Sequence, residues 1–138
     1  MPARPQQLGC SGQADTELLG QLHALFAQLW QRCPGVGDLD QMLFCTAVTE
    51  VVNNIVLHAQ SSTVSVELTA DDAKLVARLS DDGRAAEIDL DAVTLPDELV
   101  ESGRGLPIVV MAVDEVSYRR AEGRNHWLLQ RRRRPDED

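Results

Sequence analysis

Glu50-Val51-Val52-Asn53-Asn54-Ile55-Val56-Leu57-His58-Ala59 reads as a helix with two faces of different chemistry. Glu50, Asn54 and His58 stand four residues apart. On a helix they share one surface, each step drifting by about 40°. Phe44, Val48, Val51, Val52 and Ile55 fall in the adjoining arc, the face predicted to pack on a sheet. A helix surface that only meets water carries Lys, Glu and Arg. This one carries an acid, amides and an imidazole, a composition suited to a site. Asp38 is expected to cap the helix, which runs to about Ala59.

Upstream, Leu18, Leu22, Leu25, Phe26 and Leu29 repeat at helical spacing, starting at Asp15 or Thr16 and stopping at Cys33-Pro34-Gly35. Residues 1 to about 14, rich in Pro, Gln, Gly and Ser, are expected as a flexible N-terminus or one short edge strand. Downstream the period changes to two. Val64, Val66 and Leu68, the Ala70-Asp71-Asp72-Ala73 turn, then Leu75, Ala77 and Leu79 predict an antiparallel hairpin that runs into Asp81-Asp82-Gly83.

From Arg84 to about Ser102 periodicity is weak and acids are many, which reads as a long functional loop. Gly103-Arg104-Gly105 opens a short third helix from Leu106 to about Val113, with Pro107 tolerated in its first turn. Val116 and Tyr118, a turn at Glu122-Gly123-Arg124, and Trp127-Leu128-Leu129 complete the chain as two strands. The order α-α-β-β-loop-α-β-β predicts an α+β fold: three main helices layered on one face of a mixed, mostly antiparallel sheet.

At 138 residues the chain suits one domain with a true core. No apolar run approaches the ~20 residues that span a bilayer, and no apolar segment follows the N-terminus as in a secretory signal. Membrane association is not expected. The net charge of -9 argues against nucleic-acid binding, which needs a positive field. The basic run Arg131 to Arg134, followed by Pro135-Asp136-Glu137-Asp138, reads as a solvated, frayed tail. Cys10, Cys33 and Cys45 show no metal-ligand spacing, so reduced thiols in a cytoplasmic protein are expected, with Cys45 a small core residue.

The amide oxygen of Asn54 is a hard neutral ligand of the kind Mg²⁺ accepts. Glu50, one turn earlier, sits where a general base would stand in a phosphoryl-transfer site. Asn53 and His58 are placed to contact phosphate or sugar oxygens. Asp81, at a strand end, can accept from an exocyclic amine such as that of adenine, and Gly83 lets backbone approach a flat ring. Gly103 and Gly105, flanking a helix start, suit phosphate, with Arg104 adding charge and Leu106 beginning the helix. Singly, each of these residues has an ordinary use in caps and turns. Their order and spacing carry the reading.

In that order the motifs resemble those of the GHKL ATPase superfamily, and within it the stand-alone anti-sigma factor serine/threonine kinases. Glu50, Asn54, His58 and Ala59 match the N-box. Asp81 and Gly83 match the adenine box, and Gly103, Gly105 and Leu106 the lid glycine box. Asp114-Glu115-Val116-Ser117-Tyr118 and Gly123-Arg124-Asn125 are similar to the last hairpin. The resemblance implies a two-layer sandwich of the Bergerat type over residues 15–132, an ATP lid at about 84–105 and a charged tail at 133–138. It implies ATP and Mg²⁺ as cofactors, with Glu50 as catalytic base, Asn54 as metal ligand and Asp81 reading adenine. It also implies phosphorylation of a STAS-domain anti-anti-sigma protein, sequestration of a sigma factor or other regulatory target, and homodimers as an assembly to expect. Two departures stand out. Ser102 replaces a frequent glycine, and Arg84-Ala85-Ala86-Glu87 replaces a commoner Pro/Phe-containing stretch. They leave open a second function on the same fold, a nucleotide-gated antagonist that binds without chemistry.

Overall fold

The computed structural model describes residues 5–60, 63–85 and 106–134. The expected lid residues from 86 on, with Ser102, Gly103, Arg104 and Gly105, lie outside the described residues. Helix α1 spans Thr16–Arg32, α2 Asp38–His58 and α3 Leu106–Ala112; the strands are β1 Gln6–Gln13, β2 Thr63–Ala70, β3 Lys74–Asp81, β4 Glu115–Ala121 and β5 Arg124–Arg132. Three helices cover a five-stranded sheet of order β1-β2-β3-β5-β4, and all four of its pairings are antiparallel.

Asp15 begins α1 as the cap, accepting the Glu17 backbone N–H at 3.0 Å. The residue that precedes α2 is Gly37, which makes no side-chain cap bond, so the expectation that Asp38 caps this helix is corrected. Asp38 is instead the first helical residue, where its charge still favours the positive end of the helix. Leu18, Leu22, Leu25, Phe26 and Leu29 of α1 are buried, as are Phe44, Ala47, Val48, Val51, Val52 and Ile55 of α2. Phe44 meets Phe26 edge-on at 6.0 Å and Trp30 at 6.4 Å between ring centroids.

The sheet supplies the opposing layer. Register places Leu8, Leu68, Ala77 and Leu129 side by side on its inner face, and Cys10, Val66, Leu79 and Trp127 on the next row. Two-residue alternation therefore sends these side chains to the helices and Ser65, Arg78 and His126 to the other face. The β4–β5 turn holds Glu122 at φ 54° and Gly123 at φ 76°. Two left-handed residues in succession match the twist of a tight hairpin.

The reading of Arg131 to Arg134 as a frayed tail is overturned. Arg131 and Arg132 belong to β5. Arg131 is 5% exposed and donates from Nε to Asp40 Oδ1 at 2.9 Å and from Nη1 to the Ala112 carbonyl at 2.9 Å. Asp40 is 2% exposed and also accepts the Arg134 backbone N–H at 2.8 Å. Asp114 accepts the Arg132 N–H and the Arg134 guanidinium, at 2.6 and 2.8 Å. A buried guanidinium needs a charged partner, and Asp40 supplies it. A sequence shows the run of arginines but not the carboxylate 91 positions away that one of them meets.

The three cysteines are free thiols. Burial pushes the Cys45 thiol up to about 11, moderated by a hydrogen bond with Trp30.

Candidate functional site

Asp81 closes β3 and is fully buried. Its Oδ1 accepts the Gly83 backbone N–H at 2.8 Å and Asn125 Nδ2 at 2.9 Å. The first bond is local, an Asp reaching two residues onward to its own backbone. The second comes from register, because Asn125 on β5 lies directly opposite Asp81 on β3. Asn125, 1% exposed, is a junction. Its Nδ2 also donates to the Arg84 carbonyl at 2.8 Å, and its Oδ1 accepts from the Tyr118 hydroxyl and from Arg120 Nη1. Arg120 Nη1 donates to the Gly83 carbonyl as well. A buried carboxylate is thus held in one orientation by a buried amide whose own hydrogen-bonding capacity is used.

The turn after β3 is joined to the end of α2. The Arg84 backbone N–H donates to the Ala59 carbonyl at 2.8 Å, and Arg84 Nε to the His58 carbonyl at 2.9 Å. These are carbonyls a helix end leaves unpaired, and a cation there also suits the negative pole of the helix. The Thr63 N–H donates to Asp82 Oδ1 at 3.0 Å, which fixes the start of β2 to the same turn. The helix motif and the strand-end motif, more than twenty residues apart in sequence, therefore meet.

Glu50, Asn53, Asn54 and His58 are half-buried on α2, beside its buried arc. The Asn54 side-chain nitrogen is inaccessible to water and has no hydrogen-bond partner among the described residues. A carboxamide turned by 180° exchanges its oxygen and nitrogen with little change of shape. One polar atom of Asn54 therefore awaits a partner from outside these residues. Leu106, Pro107, Val109 and Ala112 are the buried positions of α3, which packs against α2. Gly103, Arg104 and Gly105 precede α3 directly but lie outside the described residues.

Among the candidates chosen from sequence, the fold brings Asp81 and Gly83 to the His58 end of α2 and lays Leu106 within the same helical layer. Asn125, Tyr118, Arg120 and Arg84 were not singled out for this network. Asn125 follows the Gly123-Arg124 turn, but only the register of β3 against β5 shows that it faces Asp81. A separate open hollow of about 1050 Å³ lies over the outer face of the sheet, lined in part by Ser65, Arg78, Ser80, Arg119 and His126. That face is turned away from Asp81.

A helical layer over an antiparallel sheet, with a buried carboxylate at a strand end beside a polar helix surface, defines a two-layer α+β architecture. The family model for the histidine kinase-like ATPase domain matches residues 12–130, and the chain belongs to that family. Among solved structures, the chain is similar to the crystal structure of the RsbU and RsbW domains of Rv1364c from Mycobacterium tuberculosis. The TM-score is 0.63 at 19% identity, covering 94% of this chain and 33% of that one. This chain therefore spans a third of that protein's length, and the likeness is one of fold. No curated protein matches it. No helix among the described residues is long and apolar enough to cross a membrane.

Proposed function

We propose that this chain is an ATP-dependent protein serine/threonine kinase of the anti-sigma factor type. In this reading it binds Mg-ATP, phosphorylates a hydroxyl of a STAS-domain partner and holds a sigma factor or similar regulator in alternation with it. The observation that carries the reading is the Asp81 junction. In this reading the buried Asp81 carboxylate, oriented by Gly83 and Asn125 and joined through Arg84 to the end of α2, is the acceptor for one edge of a flat base. The purine's exocyclic amine is the matching donor.

The rest of the site follows along α2. Asn54 has a buried amide atom without a partner among the described residues, which fits a hard cation that takes one or two protein ligands and brings its own waters and phosphates. Among the described residues no three His, Cys, Asp or Glu side chains cluster as an ion site, so the fit is to an ion arriving with a nucleotide. Bound there, Mg²⁺ would neutralise charge on the phosphates. Glu50, one turn earlier on the same surface, accepts the proton of the attacking hydroxyl. Asn53 and His58 take sugar or phosphate oxygens. Gly103, Arg104 and Gly105, with Leu106, are assigned the phosphate side. The Rv1364c structure contains RsbU and RsbW domains in one chain. That pairing supports a regulatory partner here.

The test uses purified protein, Mg-ATP and a STAS-domain partner, read by mass spectrometry of the partner. The expected result is one added phosphoryl group on a serine or threonine. Glu50→Ala should keep ATP affinity and slow transfer by ~10²–10⁴, the usual worth of a positioned base. Transfer at the wild-type rate by that variant removes Glu50 from the role. An unmodified partner held in a stable complex would favour the antagonist function instead.

A further inference from the structure

We infer that Arg131 is a positioning residue for the nucleotide site, acting through α3; the inference rests on the reading of that site given above. The guanidinium reaches two elements at once. Nε holds Asp40 in the first turn of α2, and Nη1 holds the carbonyl of Ala112, the last residue of α3. The last carbonyls of a helix have no partner within it, and α3 has only seven residues. So short a helix does not hold its own place. Its buried Leu106, Val109 and Ala112 are apolar, and apolar contact is non-directional. It resists separation from α2 but resists sliding along it far less. The planar fork of Arg131 supplies the missing directional contact.

That contact sets the level of α3 on α2. Ala112 is tied beside Asp40. Seven residues at about 1.5 Å each put Leu106, the α3 residue assigned to the nucleotide, within about two helical turns of that moored end. The hydrogen bonds of Arg131 and Asp40 go to each other, to Ala112 and to Arg134, and not to a described residue assigned to the nucleotide.

Two variants separate positioning from simple support. Arg131→Met alone leaves Asp40 charged and buried, which threatens folding by itself. The pair Asp40→Leu/Arg131→Met removes that charge and fills the volume, so its urea midpoint should return close to wild type. Arg131→Lys keeps a cation against Asp40, yet a single ammonium lacks the fork that reaches both partners. Binding of ADP is measured by calorimetry, and amide exchange of residues 106–112 is followed without nucleotide. In both variants α3 exchange should accelerate and the ADP Kd should rise by about tenfold, the worth of one hydrogen bond from a charged donor. Wild-type exchange and affinity in either folded variant overturn the inference and leave the nucleotide site standing. Faster α3 exchange with wild-type ADP affinity also overturns it, since the mooring then does not reach the site. A wild-type protein that binds no ADP overturns the site reading and the inference together, and that first titration distinguishes the two failures.

Discussion

Asn125→Ala probes the site without replacing any residue proposed to meet the nucleotide. The side chain is 1% exposed, and its removal takes a donor from one buried acceptor, Asp81 Oδ1, and from the part-buried Arg84 carbonyl. Asp81 Oδ1 keeps the Gly83 N–H. Tyr118 and Arg120 are only part-buried where they meet Asn125, so water can replace that contact. One imperfectly satisfied buried and charged acceptor predicts a loss of about 1–3 kcal/mol. That is large against the about 5–15 kcal/mol that holds a domain together, but the variant should still fold. Urea denaturation reads the loss, and ADP calorimetry should show affinity reduced about tenfold because Asp81 has lost an orienting partner.

Asn125→Asp sharpens the test. It keeps the shape but sets a second carboxylate 2.9 Å from Asp81 Oδ1. Like charges so close raise the pKa of one of them in the folded state. A raised folded pKa means that the folded state binds more protons, so the variant should lose stability as pH climbs above about 4, while acid narrows its gap to wild type. A loss below about 0.5 kcal/mol in Asn125→Ala, within the range of an ordinary surface change, with unaltered ADP affinity, would falsify the junction argument.

Other outcomes can be checked directly. The Arg132 N–H beside Asp114, with help from Arg134, holds its carboxyl below the usual carboxylate range. The stability it adds is therefore complete above about pH 3.9 and lost as pH falls through the lower folded value, so Asp114→Asn and wild type should converge in urea midpoint toward pH 2. Cys45, with its thiol near 11, should react with iodoacetamide at pH 8 about a hundredfold more slowly in the folded protein than in urea, followed by mass spectrometry; equal rates would refute its burial. Phe44→Ala should cost about 3–5 kcal/mol in the same denaturation assay, since Phe44 is fully buried among Phe26, Trp30 and the arc of α2.

Helices α1 and α2 and the β2–β3 hairpin were legible because their signal is periodic and local. Leu18 through Leu29 and Phe44 through Ile55 repeat at the helical period, and Val64 through Leu79 at the strand period. The cap of α2 was misjudged because Asp and Gly both begin helices, and only backbone angles show that Gly37 rather than Asp38 stands outside the first turn. Residues 1–14, polar in composition, read as either a flexible N-terminus or one short edge strand, and Gln6–Gln13 take the second form, paired with β2 along their whole length. An edge strand tolerates such polarity because only one of its sides needs a partner and only one of its faces a core. Arg131 and Asn125 were opaque for one reason: each is defined by a residue far away in sequence, Asp40 or Asp81. Charge runs and turn motifs are written in neighbours, but buried networks are written in register. The polar surface of α2 was visible as a pattern, whereas the Arg84 link that brings Asp81 to it was not.

Strand order has a consequence for how the chain comes to be folded at all. β5 lies between β3 and β4 in the sheet, although it follows both of them in sequence. Until residues 124–132 leave the ribosome, β3 has one open side, Asp81 lacks Asn125, and Asp40 faces a space with no arginine in it. The helices and the first hairpin must wait, partly assembled, for a strand that follows them in sequence. A nascent chain stalled before Arg124 should stay sensitive to protease, and release of the last strand should close the whole domain in one cooperative step.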